Sequence, residues 1–181
     1  MIKVVGKGVR QMADQNSIST KESEPRSEGV SKYHQKKRAE FHQRNLTGKL
    51  LIKSTEREWQ ISKQSKSKFY LYPHYFTDNA LQEWFVFMQE IETRSGKHRH
   101  QGGIAIFILE GHGYTVVDGK RQDWKKGDLI LFPVQPNGVE HQHFNEAPGG
   151  SRWMAFIFMP FYDQIASYTQ QIEFHPQYKD Q

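Results

Sequence analysis

From residue 69 onward, the chain alternates between short apolar runs and turn sequences. The runs at 84–93 and 104–109 are rich in aromatic and β-branched residues, a composition typical of strands. Turn signals such as Asp118-Gly119 separate one run from the next. Seven or so short strands, with a turn roughly every eight to twelve residues, indicate a β-sandwich or small barrel. A barrel of this size holds one small-ligand cavity, which alternate residues of each strand line.

The sequence also predicts the bounds of the individual strands and of a last helix. The continuous apolar run at 104–109 predicts a strand that is buried on both faces. A short run at 48–52 predicts a strand that latches onto the main domain, and Pro160 can begin a last helix at 161–170. The other predicted strands are 84–93, 114–117, 120–124, 129–132, 139–145 and 152–159.

The basic charge of the chain belongs to its N-terminal third. Residues 1–70 hold 16 Lys and Arg against 7 Asp and Glu, and the remainder holds 9 against 13, which gives the net charge of +5. Residues 11–29 are too poor in large apolar side chains to offset their ordering entropy, which predicts a mobile arm. A short helix is predicted at 31–45. We therefore divide the chain into a polar basic arm at 1–45 and a folded domain at 46–175, whose core motifs lie at 95–160.

Several classes of function are excluded or disfavoured by composition. The chain has no cysteine, which excludes disulfides, thiolate zinc sites and cysteine nucleophiles. Its basic residues are mixed with acidic ones and lack interleaved aromatics, so no nucleic-acid partner is expected. No apolar run approaches the length of a membrane span, and the first residues lack the apolar core of a signal peptide. A cytoplasmic protein without a membrane partner is the expectation.

Two His-x-His pairs stand in predicted strands about forty residues apart. They are His98 with His100 and His141 with His143. Side chains at i and i+2 of a strand share a face, so each pair points two imidazoles the same way. Two such strands brought together would form a nitrogen-rich metal pocket, and imidazole suits zinc, iron, copper and nickel. The alternative is that these are surface or core histidines with no shared role.

The spacing around these pairs resembles the two motifs of the cupin superfamily over residues 69–160. The resemblance implies an all-β fold, a single cupin jelly-roll barrel (double-stranded β-helix), preceded by the polar basic extension. The first motif is carried by Gly96, His98, His100 and Gly111, and the second by Gly127, Pro133, Gly138, His141 and Asn145.

One departure from the superfamily pattern narrows the resemblance. The glutamate expected four or five residues after His100 is absent, because those positions are Ile104 and Ala105. With its His-Arg-His, Leu-Glu-Gly, Tyr-Thr-Val-Val-Asp-Gly and His-x-His-x-Asn segments, the chain is similar to the gentisate and salicylate 1,2-dioxygenase branch. That resemblance implies Fe(II) held by His98, His100 and His141, with O₂ and a small-molecule substrate bound beside it. It also implies that His143 lies by the substrate as a catalytic acid/base or hydrogen-bond donor.

Two further departures concern the substrate. Ile106 stands where the branch usually has an arginine that faces the substrate carboxylate, and this chain shows one cupin where the branch usually has two. We therefore expect a hydroxylated aromatic or enolic substrate such as a less polar phenol, a quinone or a diketone. Ile106, Trp84, Phe132 and Trp153 are candidate pocket residues, with plain core packing as the alternative for each aromatic; Phe87 and Phe156 are open to the same two interpretations.

Other functions and assemblies stay open at this point. The metal could be zinc, nickel or manganese, and the chain could be an isomerase or decarboxylase that uses a Lewis acid. It could also be a non-catalytic binding or regulatory cupin. Because cupins commonly pair through edge strands, a homodimer is expected, with 48–52 as a swapped or latched strand.

Overall fold

A computed structural model of the chain describes residues 27–73 and 75–179. The chain divides into two compact units, residues 1–40 and 41–181. Helix α1 (Ser27–Thr47) covers the helix predicted at 31–45, whereas residues 11–26 of the predicted mobile arm lie outside the described residues. No helix in the described part combines the length and the hydropathy that a membrane crossing requires.

The described residues of the second unit form eleven strands and a short second helix. In chain order these are β1 (Trp59–Ile61), β2 (Lys66–Leu71), β3 (Trp84–Ile91), β4 (Lys97–His100), β5 (Ile104–Glu110), β6 (His112–Val117), β7 (Lys120–Lys125), β8 (Leu129–Phe132), β9 (Val139–Asn145), β10 (Ser151–Phe158), α2 (Met159–Gln164) and β11 (Gln170–Glu173).

The strands form two antiparallel sheets, as in a jelly roll. One sheet has the order β1-β2-β3-β10-β5-β8, and the other has the order β11-β4-β9-β6-β7. Consecutive strands pair in places, as β6 does with β7, but other neighbours are distant in sequence, such as β3 beside β10 and β4 beside β9. This arrangement confirms the predicted all-β class and the jelly-roll fold of the cupin type.

Alternating burial along the strands builds the core between the sheets. In β10, Trp153, Ala155 and Ile157 are buried, whereas the residues between them point to the opposite face and are more exposed. Ile91 and Ile108 are fully buried in the same cluster. Each fully buried aliphatic side chain contributes about 1.5–3 kcal/mol, so the core can hold a rigid site.

Two strand predictions are wrong. β5 is buried on one face only, because its outward Phe107 is 40% exposed. Residues 48–52 form no strand: Lys49 makes a single bridge to Asn79, and Leu50 is 89% exposed. The backbone hydrogen bonds of this segment to 78–80 involve Lys49 alone, so pairing stops after one residue.

The end of the chain also differs from its prediction. The helix predicted at 161–170 ends at Gln164, and Ala166 adopts a left-handed conformation with φ of 49°. Residues 170–173 instead form β11, which pairs with β4. The sequence of β11 is polar and short, so the apolar alternation that identifies most strands is missing there.

Candidate metal centre

Two adjacent strands bring the four histidines of the His-x-His pairs together. β4 and β9 pair so that His98 lies directly opposite His141. The ring centres of His98 and His141 are 4.2 Å apart, and those of His100 and His141 are 4.7 Å apart. One nitrogen from each of His98, His100 and His141 lies within 4.8 Å of the other two. This geometry matches the shared face that the period-two pattern predicts.

The three imidazoles are buried and held uncharged. His98, His100 and His141 are 6%, 3% and 2% exposed. Burial lowers the pKa of His98 to about 4 and that of His100 to about 3, and it holds the pKa of His141 well below 6.5. The positive charge that each neighbouring ring could carry lowers the pKa of His100 and His141 further. Neutral imidazole is the form that binds metal ions, so the ligands are ready at neutral pH.

Backbone groups orient two of the rings. His141 Nδ1 lies 3.0 Å from the Val139 carbonyl oxygen, to which it donates, and Nε2 is then left with a free electron pair. The Gly102 N–H donates to His100 Nδ1 at 3.0 Å. The proton of that ring is then on Nε2. A metal ion held at Nε2 by the neutral ring would require this proton to move to Nδ1 and the hydrogen bond from Gly102 to open. Gly102 has φ of 87°, and an added Cβ would lie 1.9 Å from the Pro133 carbonyl oxygen.

The donor set fits a divalent transition metal. Among the described residues, the group contains three imidazoles and no carboxylate. His98 Nδ1 is buried and has no hydrogen-bond partner there. Because three protein ligands leave coordination positions open, such a site can also accept a small molecule.

His143 lies beside the three-histidine group but is not part of it. Its ring centre is 5.6 Å from that of His141 and 4.8 Å from that of Trp153. Its Nδ1 lies 2.8 Å from the hydroxyl oxygen of Thr115. Burial lowers the pKa of His143 to about 3, so this ring too is neutral.

The histidines line an internal cavity of about 210 Å³. Of the predicted pocket residues, Ile106, Phe132 and Trp153 line it, together with Phe87. The remaining lining residues are Gln64, Tyr72, Phe85, Ile104, Ala155, Ile157, Met159, Tyr162 and Thr169. None of these described residues is charged, so the cavity is apolar apart from its imidazoles and a few neutral polar groups.

The structure corrects the prediction for Trp84. This residue lines a different cavity with Phe156, on the opposite face of the sheet. Along β3 successive side chains alternate between faces, so Phe85 and Phe87 point towards the histidines whereas Trp84 points away. The same alternation along β10 places Phe156 outside.

Four polar residues of the cavity were not predicted. They are Gln64, Tyr72, Tyr162 and Thr169. Tyr162 and Thr169 lie in the segment predicted as a helix at 161–170, and Gln64 and Tyr72 lie outside the predicted strands and helices. No motif marks them, because they lie outside the strands that carry the histidines: in the connections on either side of β2, in α2 and just before β11.

Comparison with known proteins finds two matches in sequence. Residues 84–157 match the family described as Cupin domain. A gentisate 1,2-dioxygenase of a Ralstonia species is 37% identical over 73 residues, which are 39% of this chain and 20% of that protein. The chain therefore spans about a fifth of the length of this curated relative. It has a cupin fold and resembles the gentisate and salicylate dioxygenase branch.

Two solved structures are similar to parts of this chain. The salicylate 1,2-dioxygenase of Pseudaminobacter salicylatoxidans is 25% identical, with a TM-score of 0.41, over 55% of this chain and 28% of that chain. A cupin-like protein of Thermotoga maritima is 17% identical, with a TM-score of 0.47, over 70% of this chain and 90% of that chain.

Proposed function

We propose that this cupin-fold chain is a metal-dependent dioxygenase that acts on a hydroxylated aromatic or enolic small molecule. His98, His100 and His141 would hold Fe(II). The observation that carries the proposal is the group of three buried, neutral imidazoles that open into an apolar cavity. The relative named gentisate 1,2-dioxygenase, 37% identical over 73 residues, supports this reaction class.

The charge of the site favours a particular kind of substrate. Three neutral ligands leave both positive charges of a divalent ion uncompensated in a buried site, where charges interact strongly. Two adjacent oxygens that carry negative charge, as in a deprotonated phenol or enol, would compensate them. A bound iron(II) ion would supply the place at which substrate and O₂ meet and exchange electron density.

The side chains around the histidines orient the substrate and exclude water. Phe132 and Trp153 offer aromatic faces to a flat ring, and Ile106 fills the position of the arginine expected in this branch. Because no described lining residue carries a charge, a substrate carboxylate would have no cation to pair with. We therefore propose a phenol, quinone or diketone without a carboxylate anchor, and His143 as its hydrogen-bonding partner.

Metal content tests the site. We expect about one iron per chain after anaerobic loading, and loss of iron in His98→Ala. The matched control is His112→Ala, because His112 is an exposed histidine of β6 and does not belong to the three-histidine group. Equal iron content in all three proteins would contradict the proposed ligands.

Oxygen uptake tests the reaction. The iron-loaded chain is mixed with catechols, hydroquinones and β-diketones, with and without a carboxylate, in an oxygen electrode. We expect uptake with a compound that lacks the carboxylate. Turnover without O₂ and with zinc or manganese would instead favour an isomerase or decarboxylase, and metal retention without any turnover would favour a binding protein. A cytoplasmic location stays a prediction.

A further inference from the structure

Three buried side chains, those of Trp124, Thr115 and His143, are joined by hydrogen bonds in series. The indole N–H of Trp124 donates to the hydroxyl oxygen of Thr115 at 2.9 Å, and that oxygen lies 2.8 Å from His143 Nδ1. Trp124, Thr115 and His143 are 5%, 0% and 1% exposed, so water does not compete for these bonds. Thr115 lies directly opposite His143 in the β6–β9 pair, which fixes the contact.

The direction of each bond follows from the protons available. An indole can only donate, so Thr115 Oγ1 accepts from Trp124 and still has one proton of its own to place. Among the described residues, the acceptor within reach of that hydroxyl is His143 Nδ1. A buried hydroxyl that left its proton unbonded would cost about 1–3 kcal/mol. His143 Nδ1 therefore accepts, and the proton of the neutral ring is on Nε2.

This tautomer leaves a donor at the cavity. His143 lines the cavity, and its Nε2 has no hydrogen-bond partner in the described part of the chain. We propose that Trp124 and Thr115 hold His143 in the Nε2–H form, so that it donates a hydrogen bond to an oxygen acceptor of the bound small molecule. Deprotonated phenol or enol oxygens and carbonyl oxygens are the ligands that such a donor fits. Thr115 and Trp124 are positioning residues, and the identity of the ligand rests on the proposed function.

The tautomer can be measured without any enzyme assay. The chain is labelled with ¹⁵N-histidine and studied both metal-free and zinc-loaded. Long-range proton–nitrogen NMR spectra then distinguish the ring nitrogen that carries the proton from the unprotonated one. We expect a protonated Nε2 and a bare Nδ1 for His143. Thr115→Val should mix or reverse the two forms, whereas Thr115→Ser, which keeps the hydroxyl, should retain them. A proton on Nδ1 of the wild-type ring overturns the proposal.

A ligand titration tests the donor role. The probe is the enolate of acetylacetone added to the zinc-loaded chain. Losing one hydrogen bond to a charged oxygen should weaken binding about tenfold in Thr115→Val and little in Thr115→Ser. Equal affinity in wild type and Thr115→Val overturns the donor role. If acetylacetone fails to bind any of these proteins, the proposed function fails, and the spectra still decide the tautomer.

A second inference comes from the outer face of the larger sheet. Paired residues of neighbouring strands share a face, and two rows on the side away from the histidines are apolar across β8, β5, β10 and β3. Lys68 of β2 then ends one of these rows with a charge. We call these rows the outer face. They consist of Leu131, Ala105, Phe156 and Val86, and of Leu129, Phe107, Met154 and Met88.

The outer face is open to solvent. Leu131 is 66% exposed, Leu129 56% and Phe107 40%. Beside it, Leu50 and Phe156 help to line an open groove of about 470 Å³. Together with Leu81 of this groove and Phe158 of β10, which are also exposed, these side chains present on the order of 800 Å² of apolar surface, about what each partner of a stable complex buries.

We infer that a second copy of this chain covers the outer face. The exposed area is of the size that each partner of a stable complex buries, about 800 Å². Within the four strands the two rows contain no charge that would select a charged partner. Arg152, which pairs with Glu90 and Glu110, forms a polar boundary at one end of the rows. Two such sheets can pack face to face at about 10 Å, as in a sandwich. The interface is then a sheet face and not the edge strand expected from sequence.

Sedimentation velocity and light scattering test the interface. We expect a mass of twice 21.3 kDa for the wild type. Leu131→Glu should raise the dimer dissociation constant at least 100-fold, whereas Tyr168→Glu, at a residue 63% exposed elsewhere, should not change it. Circular dichroism checks that both variants fold. A wild-type monomer overturns the inference, and a dimer that appears only after residues 1–26 are removed would identify that segment as the cover.

Discussion

Acid is predicted to unfold the metal-free chain at a pH at which most folded domains are stable. The folded chain lowers the pKa of His98, His100 and His143 to between about 3 and 4, and that of His141 also falls well below the ordinary 6.5. Below pH 6.5 the unfolded chain therefore binds protons that the folded chain does not. Stability is lost as the pH falls from about 6.5 towards 4, because protons favour the state that binds more of them.

The size of the effect follows from the number of buried rings. Between about pH 7 and pH 5, each histidine that stays neutral in the fold costs about 2 kcal/mol of stability, so the four together cost about 8 kcal/mol. That amount is comparable to the whole stability of a typical domain, about 5–15 kcal/mol. The carboxyl groups of Glu90 and Glu140, whose pKa is lowered from 4.5 by ion pairs, titrate below this window.

Urea unfolding in the presence of a chelator measures the effect, with the fluorescence of the buried Trp124 and Trp153 as the signal. From pH 7 to pH 5 in half-unit steps, we expect His100→Asn to reduce the slope of unfolding free energy by about 1 kcal/mol per pH unit on average. The reduction should approach about 1.4 kcal/mol per pH unit, the value of one proton, near pH 5. The exposed His112, replaced in His112→Asn, should leave the slope unchanged. A wild-type slope in His100→Asn would refute the reasoning.

Three other perturbations have expected outcomes. Zinc at 100 times its dissociation constant should raise the free energy of unfolding by about 2.7 kcal/mol, and His141→Asn should abolish that gain in the same urea titration. Ile108→Ala, at a residue that is fully buried, should cost about 2–5 kcal/mol with the secondary structure kept in circular dichroism. Gly102→Ala should lower the free energy of unfolding in the same urea titration, because the residue has φ of 87° and its Cβ would collide with the Pro133 carbonyl oxygen.

The three-histidine group was predictable because its geometry depends on local sequence patterns. A period of two places His98 and His100 on one face of β4, and the same rule applies to His141 and His143 in β9. Sequence reasoning then needed only the pairing of these two strands, which the resemblance to cupins implied. The structure brings the three predicted histidines together, whereas metal binding itself stays a proposal.

The rest of the site was less predictable because it depends on which face a strand presents. Trp84 is one residue out of phase with Phe85 and Phe87, and an aromatic run such as 84–87 does not show which members point inward. Thr169 reaches the cavity through β11, whose polar sequence resembles a loop or a helix end. The Trp124–Thr115–His143 series joins three strands, and no spacing in the sequence marks it.

The pairing of β4 with β9 also limits when a metal ion can be captured during synthesis. His98 and His141 are direct cross-strand partners, yet 43 positions separate them, so the first pair leaves the ribosome well before its partner strand. On its other side, β4 pairs with β11, at residues 170–173. Contacts this distant in sequence form late, after the loops between them have closed. A nascent chain can therefore offer at most two of the three imidazoles, and selection of the metal falls to the finished fold.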